Sequence, residues 1–250
     1  SNMAINLTMQ SRGLPLAYVA TSGNQAQTGL SEIGMALLED PRVTALGLHI
    51  EGIGDLRAFE ALANRARTLG KPIVAIKVGR SAQARAATVS HTASLAGEDA
   101  GADALLKRLG VIRVADLPTF LETLKLLHVA GPLPQNTIAT ISCSGGEASL
   151  AADTAMAFDL TFPPLNARQS TDLRAALGPL VALANPLDYH TYIWRDTPAM
   201  TRAFAAMADP AIAMTLLIVD FPRADLCDAS DWDCAINATI GAARETGRLY

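Results

Sequence analysis

A chain of 250 residues, half of them hydrophobic, 18% charged and only 5% aromatic, has the material for one large or two small domains with substantial cores. A net charge of −4 leaves no basic stripe to neutralise phosphates, which argues against general nucleic-acid binding, and no apolar run reaches the roughly 18 residues a membrane-spanning helix needs. There is no secretory signal pattern, and the three cysteines (Cys143, Cys227 and Cys234) make neither an even disulfide set nor a Cys-x-x-Cys pair, so a reduced cytoplasmic protein with no metal site of its own is expected.

Along the chain, short β-rich runs alternate with longer amphipathic ones. The pattern predicts a helix over 4–11, a strand over 16–20, a helix over 30–39, a strand over 43–50, a helix over 56–69, a strand over 72–78, helices over 99–109 and 117–129, and a strand over 111–114 between them. After a break at Ala130–Asn136, with two prolines and a glycine, come a strand over 137–142, helices over 147–157, 167–177 and 198–207, a strand over 214–220 and a helix over 233–246. Several strand runs are apolar nearly throughout, as in strands buried on both faces. The alternation predicts an α/β protein with parallel sheets, in two domains at residues 1–131 and 137–250. The chain opens into a helix with no strand ahead of it and stops just after a helix that would feed another strand, so both domains read as truncated. If the first is flavodoxin-like, the absent strand is its central one.

The most informative stretch is Lys77-Val-Gly-Arg-Ser81 followed by Ser90-His-Thr-Ala-Ser-Leu-Ala-Gly97. The first piece ends a strand, and ligands of open α/β sheets gather beyond the carboxyl ends of strands. The second is a small, polar, Gly-ended loop ahead of a helix, and it places His91 among polar neighbours. A lone histidine is more often a surface or cap residue, but histidine also forms covalent intermediates. Ser142-Cys-Ser-Gly-Gly-Glu-Ala148 joins a strand to a helix, and its glycines let backbone N–H groups approach an anion at the helix N-terminus. Ser144, Gly145 and Gly146 are the expected phosphate-binding residues. Asn185-Pro-Leu-Asp188 is an extended segment whose Asn and Asp either hold a loop or line a site. Tyr192 and Trp194 after it are candidates for an acyl pocket or for the core, with His190 a weaker catalytic candidate. Lys77 and Arg80 are placed to neutralise phosphate or to sit solvated.

Gly79-Arg-Ser81 with Ser90–Gly97 resembles the GRS…SHTGSLAG signature of NDP-forming (ADP-forming) acyl-CoA synthetases, relatives of succinyl-CoA synthetase. Ser22-Gly-Asn24, His49-Ile-Glu-Gly-Ile53 and Asn185-Pro-Leu-Asp188 resemble three further family motifs, in the family's order. The resemblance runs from about residue 4 to 245. It implies two flavodoxin-like parallel-sheet domains with helices on both faces, and an acid–CoA ligase running through an acyl phosphate and a phosphohistidine. It places the phosphohistidine on His91, the carboxylate that meets it on Glu51, and acyl-CoA contacts on Ser22, Gly23, Asn24, Asn185 and Asp188. A neutral imidazole attacks through one nitrogen while the other donates to an acceptor that fixes the tautomer, which is the chemistry Glu51 would supply. The resemblance also implies CoA or acyl-CoA and phosphate as ligands, and ATP/ADP with Mg²⁺ in the complete enzyme. The nucleotide site would lie on an ATP-grasp module, and a CoA-binding domain would complete the assembly, in the same or a partner chain.

Three positions depart from the family pattern: Ala93 stands for the Gly of SHTG, Ala84 for the last Gly of GRSxxG, and His49 for the tyrosine ahead of EGI. The expected function is part of an ADP-forming acyl-CoA synthetase, inactive alone and possible as a homo-oligomer. The alternatives are a ligand-sensing module of a protein-acetyltransferase-type fusion and a flavodoxin-like flavin binder.

Overall fold

The computed structural model describes residues 2–11, 13–84, 99–223 and 225–250. The chain divides into two compact units, residues 1–132 and 133–250. Unit 1 contains α1 (Asn2–Thr8), α2 (Leu30–Leu38), β1 (Leu46–Ile50), α3 (Leu56–Thr68), β2 (Ile73–Lys77), α4 (Asp99–Leu109), β3 (Ile112–Val114) and α5 (Leu117–Ala130). Unit 2 contains β4 (Ile138–Ser142), α6 (Gly145–Ala155), α7 (Ala167–Leu177), β5 (Leu187–Asp188), α8 (Thr197–Met207), β6 (Met214–Leu217), a 3₁₀ turn at Ser230–Trp232 and α9 (Asp233–Thr246). All strand pairs are parallel, in the orders β1-β2-β3 and β5-β4-β6. The expected α/β architecture of parallel sheets flanked by helices is therefore present. Among the described residues, no helix is long and apolar enough to cross a membrane.

Period-two alternation explains how unit 1 builds two layers of helix on one sheet. Ile73 and Ala75 of β2 join Leu46, Leu48 and Ile50 of β1 in a core with α2, α3 and α4, around Phe59, Leu62 and Leu106. Val74 and Ile76 point to the other face and meet Phe120, Leu121, Leu124 and Leu127 of α5. β2, apolar up to Lys77, is thus satisfied on both faces. Local chemistry starts the helices where the sequence predicts. Asp55 caps α3 by accepting from the N–H of Arg57 and Ala58, and Asp116 caps α5 by accepting from Thr119, with Pro118 in its first turn. In unit 2, Asn166 and Gln169 form a reciprocal capping box on α7, and α8 is buried nearly all round between α7 and α9.

Two expectations about strands need correction. Leu16–Ala20 is not a strand: Leu16, Tyr18 and Val19 are exposed, and the segment joins no sheet. It is held by side chains instead. The Tyr18 hydroxyl donates to Asp40 at 2.5 Å, and the Arg42 guanidinium lies over the Tyr18 ring while pairing with Asp40 at 2.7 Å. Among the described residues β1 pairs with β2 alone. The Leu46 N–H donates to the Pro72 carbonyl and the Val78 N–H to the Ile50 carbonyl, so the alternate residues Gly47 and His49 turn their backbone groups to the opposite edge. A cavity of about 820 Å³ is bordered both by that edge and by the 14–25 segment. With no strand beside it to complete a ladder, the β-rich run 16–20 stays irregular. Conversely, β5 at Leu187–Asp188 was not expected as a strand, because two residues carry no periodicity.

Gly47 is required by contact. A Cβ there would stand 2.7 Å from Phe120 Cζ and 2.8 Å from Leu124 Cδ1. Gly47→Ala is therefore expected to lower stability by about 1–3 kcal/mol through overpacking against Phe120 and Leu124; urea unfolding of the variant and the wild type measures it.

Candidate functional site

The parallel pairing of β1, β2 and β3 delivers Glu51, Lys77 and Val114 to one end of the unit 1 sheet. Glu51 is half-buried just past β1, and its Oε2 is shielded from solvent and accepts no hydrogen bond among the described residues. Lys77, the last residue of β2, is only 5% exposed. Its ammonium donates to the Glu51 carbonyl at 3.0 Å and to the Val78 carbonyl at 2.5 Å. Burial pulls its pKa down, and Asp99 pushes it back up. Lys77 is therefore a brace between strand ends and is not a solvated cation. The turn after it needs Gly79, whose φ of 89° lies in the left-handed region. Arg80 then emerges exposed and lies 3.7 Å from Asp99, the first residue of α4.

Ser22, Gly23 and Asn24 form a turn closed by the Gln25 N–H donating to the Ser22 carbonyl at 3.0 Å. The Asn24 side chain stabilises this turn by accepting from the Ala26 N–H at 3.1 Å. Gln25, which sequence reading passed over, connects this turn to the Glu51 strand end: its amide donates to the Gly52 carbonyl at 3.2 Å and accepts from the Leu30 N–H at 2.9 Å. Its position next to Ser-Gly-Asn was the available signal. Ser22, Gly23, Asn24 and Glu51 all border the same cavity. His91, the proposed nucleophile, lies outside the described residues, as does the rest of Ser90–Gly97.

In unit 2, Ser144 is the N-cap residue of α6, and Gly145 and Gly146 open the helix. The Ser142 hydroxyl donates to the Ser144 carbonyl at 3.1 Å and steadies the turn. Asp188 ends β5 with Oδ2 only 3.3 Å from where a Gly145 Cβ would stand, and its Oδ1 accepts from the His190 N–H at 2.8 Å. Asn185 takes a different part. Its amide donates to the carbonyls of Ile138 and Pro163, and its oxygen accepts from the Thr140 N–H, so it fastens β5 beside β4. Trp194 packs on the unit 2 core and edge-on to Trp232, while Tyr192 is exposed and stacks on His190.

The Gly-rich turn is more acidic than its sequence suggested. Glu147, in the first turn of α6, has a shielded Oε2 that makes no hydrogen bond among the described residues. Its pKa is raised, first by burial and then by the carboxylates of Asp220 and Asp188. Any anion at this helix end meets carboxylates as well as N–H groups. Glu147 stands beside the two glycines in sequence, so it was visible; Asp220 arrives only through the pairing of β6 with β4. Among the described residues, no group of three His, Cys, Asp or Glu side chains is placed to hold a metal ion.

Residues 2–127 match the family described as the succinyl-CoA ligase-like flavodoxin domain. The chain belongs to this family. It is 33% identical over 173 residues to the ADP-forming acetate–CoA ligase of Methanocaldococcus jannaschii, covering 68% of this chain and 24% of that one. It is 29% identical over 198 residues to a trans-feruloyl-CoA synthase from an unknown prokaryote, covering 79% and 28%. To subunit alpha of the ADP-forming acetate–CoA ligase II of Pyrococcus furiosus it is 32% identical over 167 residues, covering 66% and 36%. The chain thus spans about a quarter to a third of the length of these curated relatives. A dinucleotide-forming acetyl-coenzyme A synthetase 1 of Ca. Korarchaeum cryptofilum, solved with phosphate and ADP, superposes with a TM-score of 0.78 at 20% identity over 92% of this chain and 48% of that one, which establishes a common fold. The flavodoxin-like architecture follows.

The buried charges of the two units each have a testable consequence. Lys77→Met would leave the Glu51 and Val78 carbonyls without their donor and is expected to cost about 1–3 kcal/mol in urea unfolding. A carboxyl whose folded pKa is raised favours the fold below its unfolded pKa, and that contribution is lost as pH rises through the folded value. Glu147→Gln should therefore stabilise unit 2 near neutral pH but not under acid conditions where the wild-type carboxyl is already protonated. Urea midpoints across that range measure the difference.

Proposed function

We propose that this chain is part of an ADP-forming acyl-CoA synthetase and that His91 carries the phosphoryl group between acyl phosphate and nucleotide. In the direction of ATP synthesis, phosphate attacks the thioester of acyl-CoA to give acyl phosphate and free CoA. A neutral His91 nitrogen attacks phosphorus, a P–N bond forms as the P–O bond to the acyl group breaks, and the carboxylate leaves. ADP then takes the phosphoryl group and releases the imidazole. The reverse sequence consumes ATP to make acyl-CoA from acid and CoA.

The observation that carries this reading is Glu51. A carboxylate oxygen shielded at the carboxyl end of a strand, with no hydrogen bond among the described residues, is an acceptor whose desolvation is uncompensated until a donor arrives. The ring N–H of His91 would supply that donor, fixing the tautomer and stabilising the phosphorylated ring. Ser22, Gly23 and Asn24, gathered with Glu51 around one cavity, stand as the acyl-CoA contacts. Ser144, Gly145 and Gly146 stand as a phosphate contact beside the Glu147 carboxyl, whose pKa is raised, and Asp188 stands as a further acyl-CoA contact. Nucleotide and its Mg²⁺ are assigned to an ATP-grasp module, and CoA to a CoA-binding domain, in the longer protein or a partner chain.

The test is incubation of the full-length protein with radiolabelled ATP and Mg²⁺. Acid-labile, base-stable label is expected on the wild type and none on His91→Ala. Glu51→Gln should slow labelling about 10- to 100-fold, the worth of one charge-assisted hydrogen bond. Absence of label on a folded wild-type protein would favour the ligand-sensing reading.

A further inference from the structure

Among the described residues β1 has a strand on one side only, and its other edge carries the N–H and C=O groups of Gly47 and His49. A second run of unpaired backbone lies nearby: residues 15–21 make no backbone hydrogen bond to another described residue. Unpaired backbone in a surface loop is ordinary, because water satisfies it. Here both runs border one cavity of about 820 Å³, and its walls are apolar. One wall is α2, with Ile33, Gly34 and Leu37, and the other is α5, with Phe120, Leu121 and Leu124. These two helices pack on opposite faces of the unit 1 sheet. Ile33 is half-buried and joins neither core cluster of unit 1. Leu16, Tyr18 and Val19 are exposed although their run has the composition of a strand. The cavity therefore has the plan of the sheet itself, with hydrogen-bonding backbone at its sides and a helix over each face.

We propose that this cavity is a strand slot: an extended segment of the longer polypeptide, outside residues 1–250, inserts parallel to β1 between its Gly47–His49 edge and residues 15–21. The backbone decides the class of occupant. An acyl chain in the slot would shut water away from Gly47 and His49 while leaving their N–H and C=O groups unpaired, at a cost comparable to lost hydrogen bonds. A peptide strand pairs them and the 15–21 run at once. β1 has five residues, so a matching partner is about five residues and about 17 Å long. With a helix over each face, its side chains are apolar on both, and proline is excluded from its centre. The source rests on two facts. The chain spans about a quarter to a third of the length of its curated relatives, so the longer polypeptide has segments to supply. Met3 and Ala4, in the first turn of α1, line the cavity, so a strand ahead of α1 reaches the slot through a short connection. Parallel insertion brings the carboxyl end of that strand level with Glu51, adding a further strand end to the site that Ser22, Gly23 and Asn24 border. This inference stands independently of the phosphohistidine reading.

Amide hydrogen exchange of the full-length protein, read residue by residue, tests it. The Gly47 and His49 amides should exchange about 100-fold or more slower than unstructured peptide, with alternate amides of 15–21 and one apolar segment outside residues 1–250 protected alongside them. Ile33→Asp sets a carboxylate against the inserted strand. It should speed exchange at Gly47 and His49 about 10-fold or more, while Ala75 and Ile76 of β2 stay slow and report that the sheet is folded. Exchange of Gly47 and His49 at unstructured rates in a wild type whose β2 amides are slow would overturn the proposal. So would protection that Ile33→Asp leaves unchanged. Protection that grows with protein concentration would assign the slot to a second copy, and protection that appears only when acyl-CoA is added would assign it to that ligand; either result overturns the occupant proposed.

Discussion

A buried ammonium joins the ends of two parallel strands in unit 1. Lys77 sits at the carboxyl end of β2 and donates to the carbonyl of Glu51, the residue that leaves β1. Burying that charge has a desolvation cost, visible in the lowered pKa, which the two carbonyl contacts offset only in part. The return is positional. The backbone of Glu51 is fixed at the strand end, beside the cavity that Ser22, Gly23 and Asn24 border, and Gly79 and Arg80 leave β2 in a defined direction. The parallel register makes this possible, because pairing Ile50 with Lys77 puts both strand ends level.

The two units handle charge at their strand ends differently. In unit 1 cations and carboxylates alternate: Lys77, Arg80 and Arg113 against Asp99 and Asp103, with one Glu51 oxygen left without a partner among the described residues. In unit 2 Asp188 lies against Gly145 of the Gly145–Gly146 turn, Glu147 follows the turn with Asp220 near its carboxyl, and the helix N-terminus supplies positive potential. An anion brought to this turn would bind best while a carboxyl holds its proton. That property separates it from the glycine-rich turn read from sequence alone.

Much of the fold was legible. The mostly apolar runs at Ile73–Lys77 and Ile138–Ser142 are buried on both faces, as near-continuous hydrophobicity implies, and Asp55, Asp116 and Asn166 mark helix starts by their chemistry. Leu16–Ala20 misled because its composition suits a strand, while a strand also needs a neighbour with which to form a ladder. Asn185 was ambiguous for a related reason. Its motif says that an amide is needed there, but only the spatial arrival of Ile138, Thr140 and Pro163 shows that the amide serves the backbone. Gln25 and Asp220 act through residues distant in sequence, Gln25 through Gly52 and Asp220 beside Glu147 and the Gly-rich turn, so no local pattern reveals them.

The proposed phosphoryl relay depends on a contact between the His91 imidazole and the Glu51 carboxylate. ¹⁵N-histidine NMR of the full-length protein tests it directly by following the His91 ring through pH in the wild type and in Glu51→Gln. A carboxylate at hydrogen-bonding distance favours the protonated ring, so His91 should titrate at higher pH in the wild type and fall toward the ordinary histidine value in the variant. Identical titration curves would contradict the account.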